Sequence, residues 1–253
     1  MRILLCNDDG IYAEGIERLY HAVRHLGEIA VVAPEAERSA VGHAITIASP
    51  IKSRRIERSS SFSGYAVSGT PADCVKLAIG NLMPEPPDLV LSGINHGANA
   101  GISILYSGTV SGATEGAICG VPSVALSMAT FDRPLWETGA RVATQVVEML
   151  QRNRLPPATV LNVNIPNRPF KELLGYAVVP MGPSRWVEEF DERIDPRGNT
   201  YYWIDGKLQL SDGAPHQNDV TLVDEGYVTI TPITFDLTAH THIEPIRAWD
   251  WKL

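Results

Sequence analysis

The chain opens on a pattern that leaves few folds open. Residues 2–6 form a short apolar run, Ile3-Leu4-Leu5-Cys6 after Arg2, closed at once by Asn7-Asp8-Asp9-Gly10. A run of that length bounded by turn residues reads as a buried strand. Residues 12–26 then place Ile16, Leu19, Tyr20, Val23 and Leu26 on one helical face, and Glu28 to Ala33 is a second apolar strand stopped by Pro34. Strand, helix, strand is the start of a parallel sheet, since a helix must carry the chain back before the next parallel strand begins.

The alternation continues. Thr70-Pro71-Ala72-Asp73 is a helix start, with a hydroxyl cap, proline in the first turn and an acid beside the free amides, and the helix is expected to reach about Leu82. Further strands are expected from Asp88 to Leu91, Ser123 to Ser127 and Val160 to Ile165, and helices over Thr109–Cys119 and Trp136–Gln151. After Pro166 the texture becomes β-rich. Strands are expected at 176–180, 199–203, 207–210 and 226–233, with Asp205-Gly206 as a hairpin turn and a short helix over 217–224. The serine cluster 59–63 reads as an exposed turn. The predicted fold is α/β: a doubly wound, mostly parallel sheet over residues 1–170, followed by a β-rich extension over 171–253.

Composition removes several function classes. With 253 residues, 44 % of them hydrophobic, a full core forms without disulfides. Cys6, Cys74 and Cys119 show no CxxC spacing and read as reduced thiols in small core positions, although pairing is not decided by sequence. The net charge of −8 argues against duplex nucleic acid as a partner, because such binders need a basic footprint. No apolar run approaches a membrane span or a signal segment, so no membrane partner is expected and a cytoplasmic location is.

Ligands of an open parallel sheet bind beyond the carboxyl ends of its strands. Three polar loops fall there: Asn7 to Gly10, Glu37-Arg38-Ser39, and Ser92-Gly93-Ile94-Asn95-His96-Gly97-Ala98-Asn99. Two unit charges about 5 Å apart repel by roughly 3 kcal/mol at an effective dielectric near 20. Asp8 and Asp9 at the end of a buried strand therefore call for a cation, and oxygen donors without a nearby Cys or His pair suit Mg²⁺ or Mn²⁺. Ser107-Gly108-Thr109 joins hydroxyls and a glycine to a helix start, where free amides favour a phosphate; a simple turn and cap is the alternative. His43 and His96 lie in the loops, with His96 as a possible proton donor. Neither a P-loop nor a GxGxxG follows the first strand.

These blocks together resemble the stationary-phase survival protein SurE family of 5′/3′-nucleotidases. The resemblance runs through Asn7-Asp8-Asp9-Gly10, Ala33-Pro34, Arg38-Ser39, Val67 to Val75, Ser92 to Asn99, Tyr106 to Val110 and Ala113 to Gly116, in the family's order. Ala40 stands where the family often has glycine. The resemblance implies a Rossmann-like core, an oligomerisation role for the extension, and a metal-dependent phosphomonoesterase that hydrolyses nucleoside 5′-monophosphates, with 3′-monophosphates an open question. It implies one divalent ion per subunit on Asp8, Asp9, Ser39 and Asn95, with Asp8 and Asp9 catalytic. Asn95, Asn99, Ser107, Gly108 and Thr109 would lie at the substrate phosphate. It also implies a homodimer or homotetramer built by C-terminal segments; Trp249 and Trp251, near the end of the chain, are expected to pack in that contact. Two other classes stay open from sequence: a metal-dependent glycosyltransferase on the same kind of core, and a non-enzymatic stress-response interaction protein.

Overall fold

The computed structural model describes residues 1–59 and 62–251. Ser60 and Ser61, the centre of the turn expected at 59–63, lie outside the described residues. In chain order the elements are β1 (Arg2–Cys6), α1 (Glu14–Val23), β2 (Glu28–Pro34), β3 (Ser53–Ser59), β4 (Phe62–Val67), α2 (Pro71–Leu77), β5 (Leu89–His96) and α3 (Gly108–Ile118). They continue as β6 (Ser123–Ala129), α4 (Trp136–Arg152), β7 (Val160–Pro166), β8 (Tyr176–Val178), β9 (Ser184–Ile194), β10 (Thr200–Leu210), α5 (Asp219–Glu225), β11 (Val228–Ile233) and α6 (Ile243–Arg247).

Nine strands form one sheet in the order β3-β4-β2-β1-β5-β6-β7-β11-β8. The stretch from β4 to β7 is parallel throughout. From β1 the chain builds outward to β2 and the β3–β4 hairpin, then returns to lay β5 on the other side of β1. The strand order reverses between β1 and β5, the topological switch point where α/β sheets bind ligands.

The alternation of a strand's side chains explains the two cores. Ile3 and Leu5 pack on one face with Ile16, Leu19, Leu126, Val142 and Val146, from α1, β6 and α4. Leu4 and Cys6 pack on the other with Val32, Val67, Cys74, Val75 and Val90. With both faces covered, β1 needs an unbroken apolar run, which is what its sequence supplies. Helix α2 starts as expected: Thr70 Oγ1 accepts from the Asp73 amide at 3.1 Å, and Asp73 Oδ2 accepts from the Thr70 amide at 2.9 Å. It loosens into a π-helical turn over Ala78–Leu82. Cys6 and Cys74 are buried free thiols, but Cys119 is exposed.

Several local expectations are corrected. The β3–β4 hairpin fills a stretch where no strand was expected, because β3, SRRIERS, lacks an apolar face long enough to signal one. β5 runs on through the glycine-rich segment to His96, with a bulge between Ser92 and Asn95. Asp205-Gly206 is not a hairpin turn: it lies inside β10, with Gly206 opposite Glu188 of β9. The turn is at 195–199, where Asp195 Oδ1 accepts from the amides of Arg197 and Asn199, both at 2.8 Å, and Gly198 takes φ +87°. The sheet also crosses residue 170, since β11 pairs antiparallel with β7 and in turn carries β8. The β9–β10 hairpin stands apart as a two-stranded sheet.

Candidate active site

The buried strand β1 delivers Asn7, Asp8 and Asp9 to the switch point. Asn7 is fully buried and its amide donates to the Gly10 carbonyl at 3.0 Å, while Gly10 takes φ +94° to close the turn. The Asp8 carbonyl accepts from the Arg38 amide at 2.7 Å, which ties the loop after β2 to the loop after β1. These acids line a cleft of about 500 Å³ together with Glu37, Ser39, Asn95, His96, Asn99 and Ser107. Tyr106, Phe131 and Trp186 also line it, with Ala40, Gly97, Ala98 and Ser103.

Asp8 is only 5 % exposed. Burial pushes its carboxyl above the ordinary range, and hydrogen bonds from the hydroxyl and amide of Thr109 offset only part of that. Asp9 is raised to about 7 by burial first, then by the neighbouring Asp8 charge and by Glu37. Among the described residues, the groups that shift these two acids include no cationic side chain. Two such desolvated carboxylates fit a divalent cation, which would restore both to the charged form. The other donors fit as well. The Asn95 amide nitrogen donates to the Gly97 carbonyl at 2.7 Å, leaving Oδ1 toward Thr109 Oγ1 at 3.4 Å. Ser39 Oγ donates to Glu37 Oε1 at 2.6 Å, so its lone pairs remain free to accept or ligate. Such an all-oxygen set suits a hard ion. Among the described residues no group of three or more His, Cys, Asp or Glu converges on a metal position, so a metal held here would need neutral oxygens beside the two acids.

The 107–109 segment divides. Ser107 lines the cleft, and its Oγ caps α3 by accepting from the Val110 amide at 3.1 Å. Gly108 and Thr109 lie behind Asp8. A Cβ on Gly108 would stand 2.7 Å from the Asp8 Cβ, so only glycine lets the helix start approach this closely. Thr109 is fully buried with its hydroxyl donating to Asp8 Oδ1. Asn99 is held from three sides: its amide donates to Asn164 Oδ1 at 2.8 Å, its Nδ2 to Ser127 Oγ at 2.9 Å, and its carbonyl accepts from Asn162 Nδ2 at 2.7 Å.

The histidines separate too. His96 is on the cleft wall, its ring centroid 6.5 Å from that of Phe131. His43 does not line this cleft. Its Nε2 lies 2.7 Å from Glu115 Oε2, and Lys76 Nζ donates to Glu115 Oε1 at 2.6 Å. Burial pushes the Glu115 carboxyl up, but the hydrogen bonds from His43 and Lys76 outweigh it and hold the group below its ordinary value. Arg38 turns away, donating to the Ser68 carbonyl at 2.9 Å. Sequence reasoning passed over Glu37, Tyr106, Phe131 and Trp186. Glu37 sat in a polar loop already singled out, whereas Trp186 comes from β9 and no local pattern joins it to the rim.

The description "Survival protein SurE" belongs to the family model that matches residues 3–188. The 5′-nucleotidase SurE of Syntrophobacter fumaroxidans is 45 % identical, over 99 % of this chain and 100 % of the relative. The 5′-nucleotidase SurE of Syntrophus aciditrophicus is 46 % identical, over 98 % and 93 %. Among solved structures, the crystal structure of the SurE protein from Aquifex aeolicus superposes with a TM-score of 0.84 at 40 % identity, covering 98 % of both chains. Sequence and fold thus agree from the first strand through the C-terminal hairpin, and the chain belongs to the SurE family.

Proposed function

We propose that this chain is a divalent-metal-dependent 5′-nucleotidase, hydrolysing nucleoside monophosphates to nucleoside and phosphate. The observation that carries the reading is the pair of desolvated carboxylates, Asp8 and Asp9, on the switch-point rim, shifted by no cationic side chain among the described residues. The 5′-nucleotidase name of relatives at 45 and 46 % identity supports it.

In this reading Asp8, Asp9, Asn95 and Ser39 hold one Mg²⁺ or Mn²⁺. A bound divalent ion supplies Lewis-acid charge against the phosphoryl group and acidifies a water. The remaining work belongs to the chain. Thr109 orients Asp8 through its hydrogen bond. Asn95, Asn99 and Ser107 line the cleft where the phosphate oxygens would sit, and the close approach of Gly108 sets the distance between the helix start and the acids. Donors held in place before reaction stabilise charge as it develops without reorganising. Water is the preferred nucleophile. His96 remains a candidate proton donor to the leaving oxygen.

The test is phosphate release from a panel of 5′- and 3′-monophosphates, with EDTA, then with Mg²⁺ or Mn²⁺ restored. Release from AMP without a sugar acceptor excludes a glycosyltransferase, and any metal-restored turnover excludes a purely non-enzymatic role. Full activity in a preparation shown metal-free by elemental analysis would overturn the metal assignment.

We further infer a homodimer or homotetramer. Phe190, Trp203 and Ile204 of the β9–β10 hairpin are 63, 61 and 68 % exposed, and Trp249 and Trp251, whose rings stack at 5.7 Å, are 61 and 68 % exposed. Apolar surface gathered this way marks an association site. A monomeric mass by light scattering at micromolar concentration would contradict it. Among the described residues no helix is long and apolar enough to cross a membrane.

A further inference from the structure

The acids of the cleft answer to a phosphate, but part of its lining has no role in that chemistry. That part is aromatic: Tyr106, Phe131 and Trp186. Tyr106 and Phe131 come from rim loops and remain 53 and 80 % exposed. Phe131 is nonetheless seated, because a Cβ on Gly97 would stand 2.4 Å from its ring.

Trp186 arrives from a different part of the chain, and its position is built. The Gly101 and Gly182 amides both donate to the buried Asp219 carboxylate, at 3.0 and 2.7 Å. The Ile102 amide donates to Ser184 Oγ at 2.9 Å. A side chain on Gly101 would place Cβ 2.2 Å from that same oxygen, so the foot of the hairpin and the 101–105 turn are in tight contact. Trp186 follows Ser184 by two residues and shares its strand face. Both are partly buried, while Arg185 and Val187 between and after them are exposed. The anchoring of Ser184 therefore aims the indole over the 101–105 turn into the cleft.

We propose that Trp186, with Phe131 and Tyr106, forms a stacking wall for the nucleobase, and that Trp186 determines the preference for nucleotides over simpler phosphomonoesters. The proposal rests on the phosphomonoesterase reading above. A cleft of about 500 Å³ falls within the size of small-molecule sites. Phosphate at the acids leaves the flat, uncharged base to the aromatic part of the lining. Stacking tolerates any base, since each has a π-face, so the wall selects nucleotides as a class.

The test compares AMP with ribose 5-phosphate, which carries the same phosphate and sugar without the base. Steady-state kinetics are run at saturating Mn²⁺ on wild type, Trp186→Ala and Trp186→Phe, with folding checked by thermal melts. Trp186→Ala should lower the AMP to ribose 5-phosphate ratio of kcat/KM by about tenfold, mainly through KM for AMP, and Trp186→Phe should recover most of it. Adenosine, which needs no metal, should bind the metal-free wild type by calorimetry and bind Trp186→Ala about tenfold more weakly. If the alanine variant does not fold, Phe131→Ala reads the same ratio from the other side of the wall. Equal losses on both substrates, an unchanged ratio, or a wild type that prefers neither substrate would overturn the wall and leave the phosphatase intact. A wild type inert toward both would remove the phosphatase reading itself.

Discussion

The switch-point rim and the C-terminal hairpin with its tail break the same rule from opposite sides. On the rim, Asp8 is buried at 5 % exposure, where carboxylates are rarely found without a partner. On the hairpin, Trp203 and Ile204 stand 61 and 68 % exposed, where large apolar groups rarely cluster. Each region departs from the usual burial of its chemistry. In the reading proposed above an ion completes the first and a second chain the second, while Trp186 at the hairpin's foot lines the cleft.

The strongest way to break this comparison is to remove charge from the rim. Asp8→Asn should lower kcat/KM for AMP by more than about a hundredfold, since losing a ligand should exceed the 10–100-fold cost of losing a group behind one. In the same variant Mg²⁺ or Mn²⁺ should no longer raise Tm, whereas in wild type ligand linkage raises it. An unchanged metal response would show that the acids balance each other without an ion.

A geometric test comes next. Gly108→Ala puts a methyl 2.7 Å from the Asp8 Cβ and must displace one of them. A shift near 1 Å at the reacting centre can cost about a hundredfold in rate. Kinetics should show that loss in kcat, with Tm changed far less; wild-type kcat would mean that the rim yields without harm.

Glu115 offers a stability test behind the rim. Its carboxylate is buried between His43 and Lys76, both partly exposed. Breaking a fully buried pair costs about 3–5 kcal/mol, so Glu115→Gln should cost less, about 2 kcal/mol, by urea unfolding at neutral pH. Because the folded carboxyl is held below its ordinary 4.5, the wild-type advantage is present above that value and lost as pH falls through the lowered one. A gap between wild type and variant that persisted in acid would assign the effect to packing.

The smallest expected effect on the chemistry comes from the other region. Truncation before His240 removes the stacked Trp249 and Trp251 but leaves every rim element in place. Light scattering should then show the mass falling toward one 27.6 kDa chain. If the assembly survived, the hairpin alone would be its contact.

The legible part of this protein was the part whose signals are local. The apolar run of β1, the amphipathic face of α1 and the Thr70-Pro71 cap each sit within a few residues. Because parallel strands deliver their loops to one edge, strand order alone puts Asp8, Asp9, Ser39 and Asn95 on a common rim, and all four line the cleft. The hairpin was harder to read. Asp205-Gly206 carries turn chemistry, yet the register with β9 placed it mid-strand and gave the turn to Asp195–Asn199. β9 itself, SRWVEEFDERI, shows no buried face, because nine of its eleven residues are exposed in this chain.

Sequence by itself determined the sheet's alternation, the rim and the oxygen chemistry of the acids, because each depends on residues near one another or on a rule of strand order. Tertiary structure alone decided what each rim residue faces. It turned Thr109 toward Asp8, took His43 away to Glu115, and brought Trp186 to the cleft through the Asp219 and Ser184 anchors. Those outcomes depend on contacts across long stretches of chain, 101 residues in the case of Thr109 and Asp8. No local periodicity encodes such a distance; only the closing of the sheet and the packing of its covering elements set it.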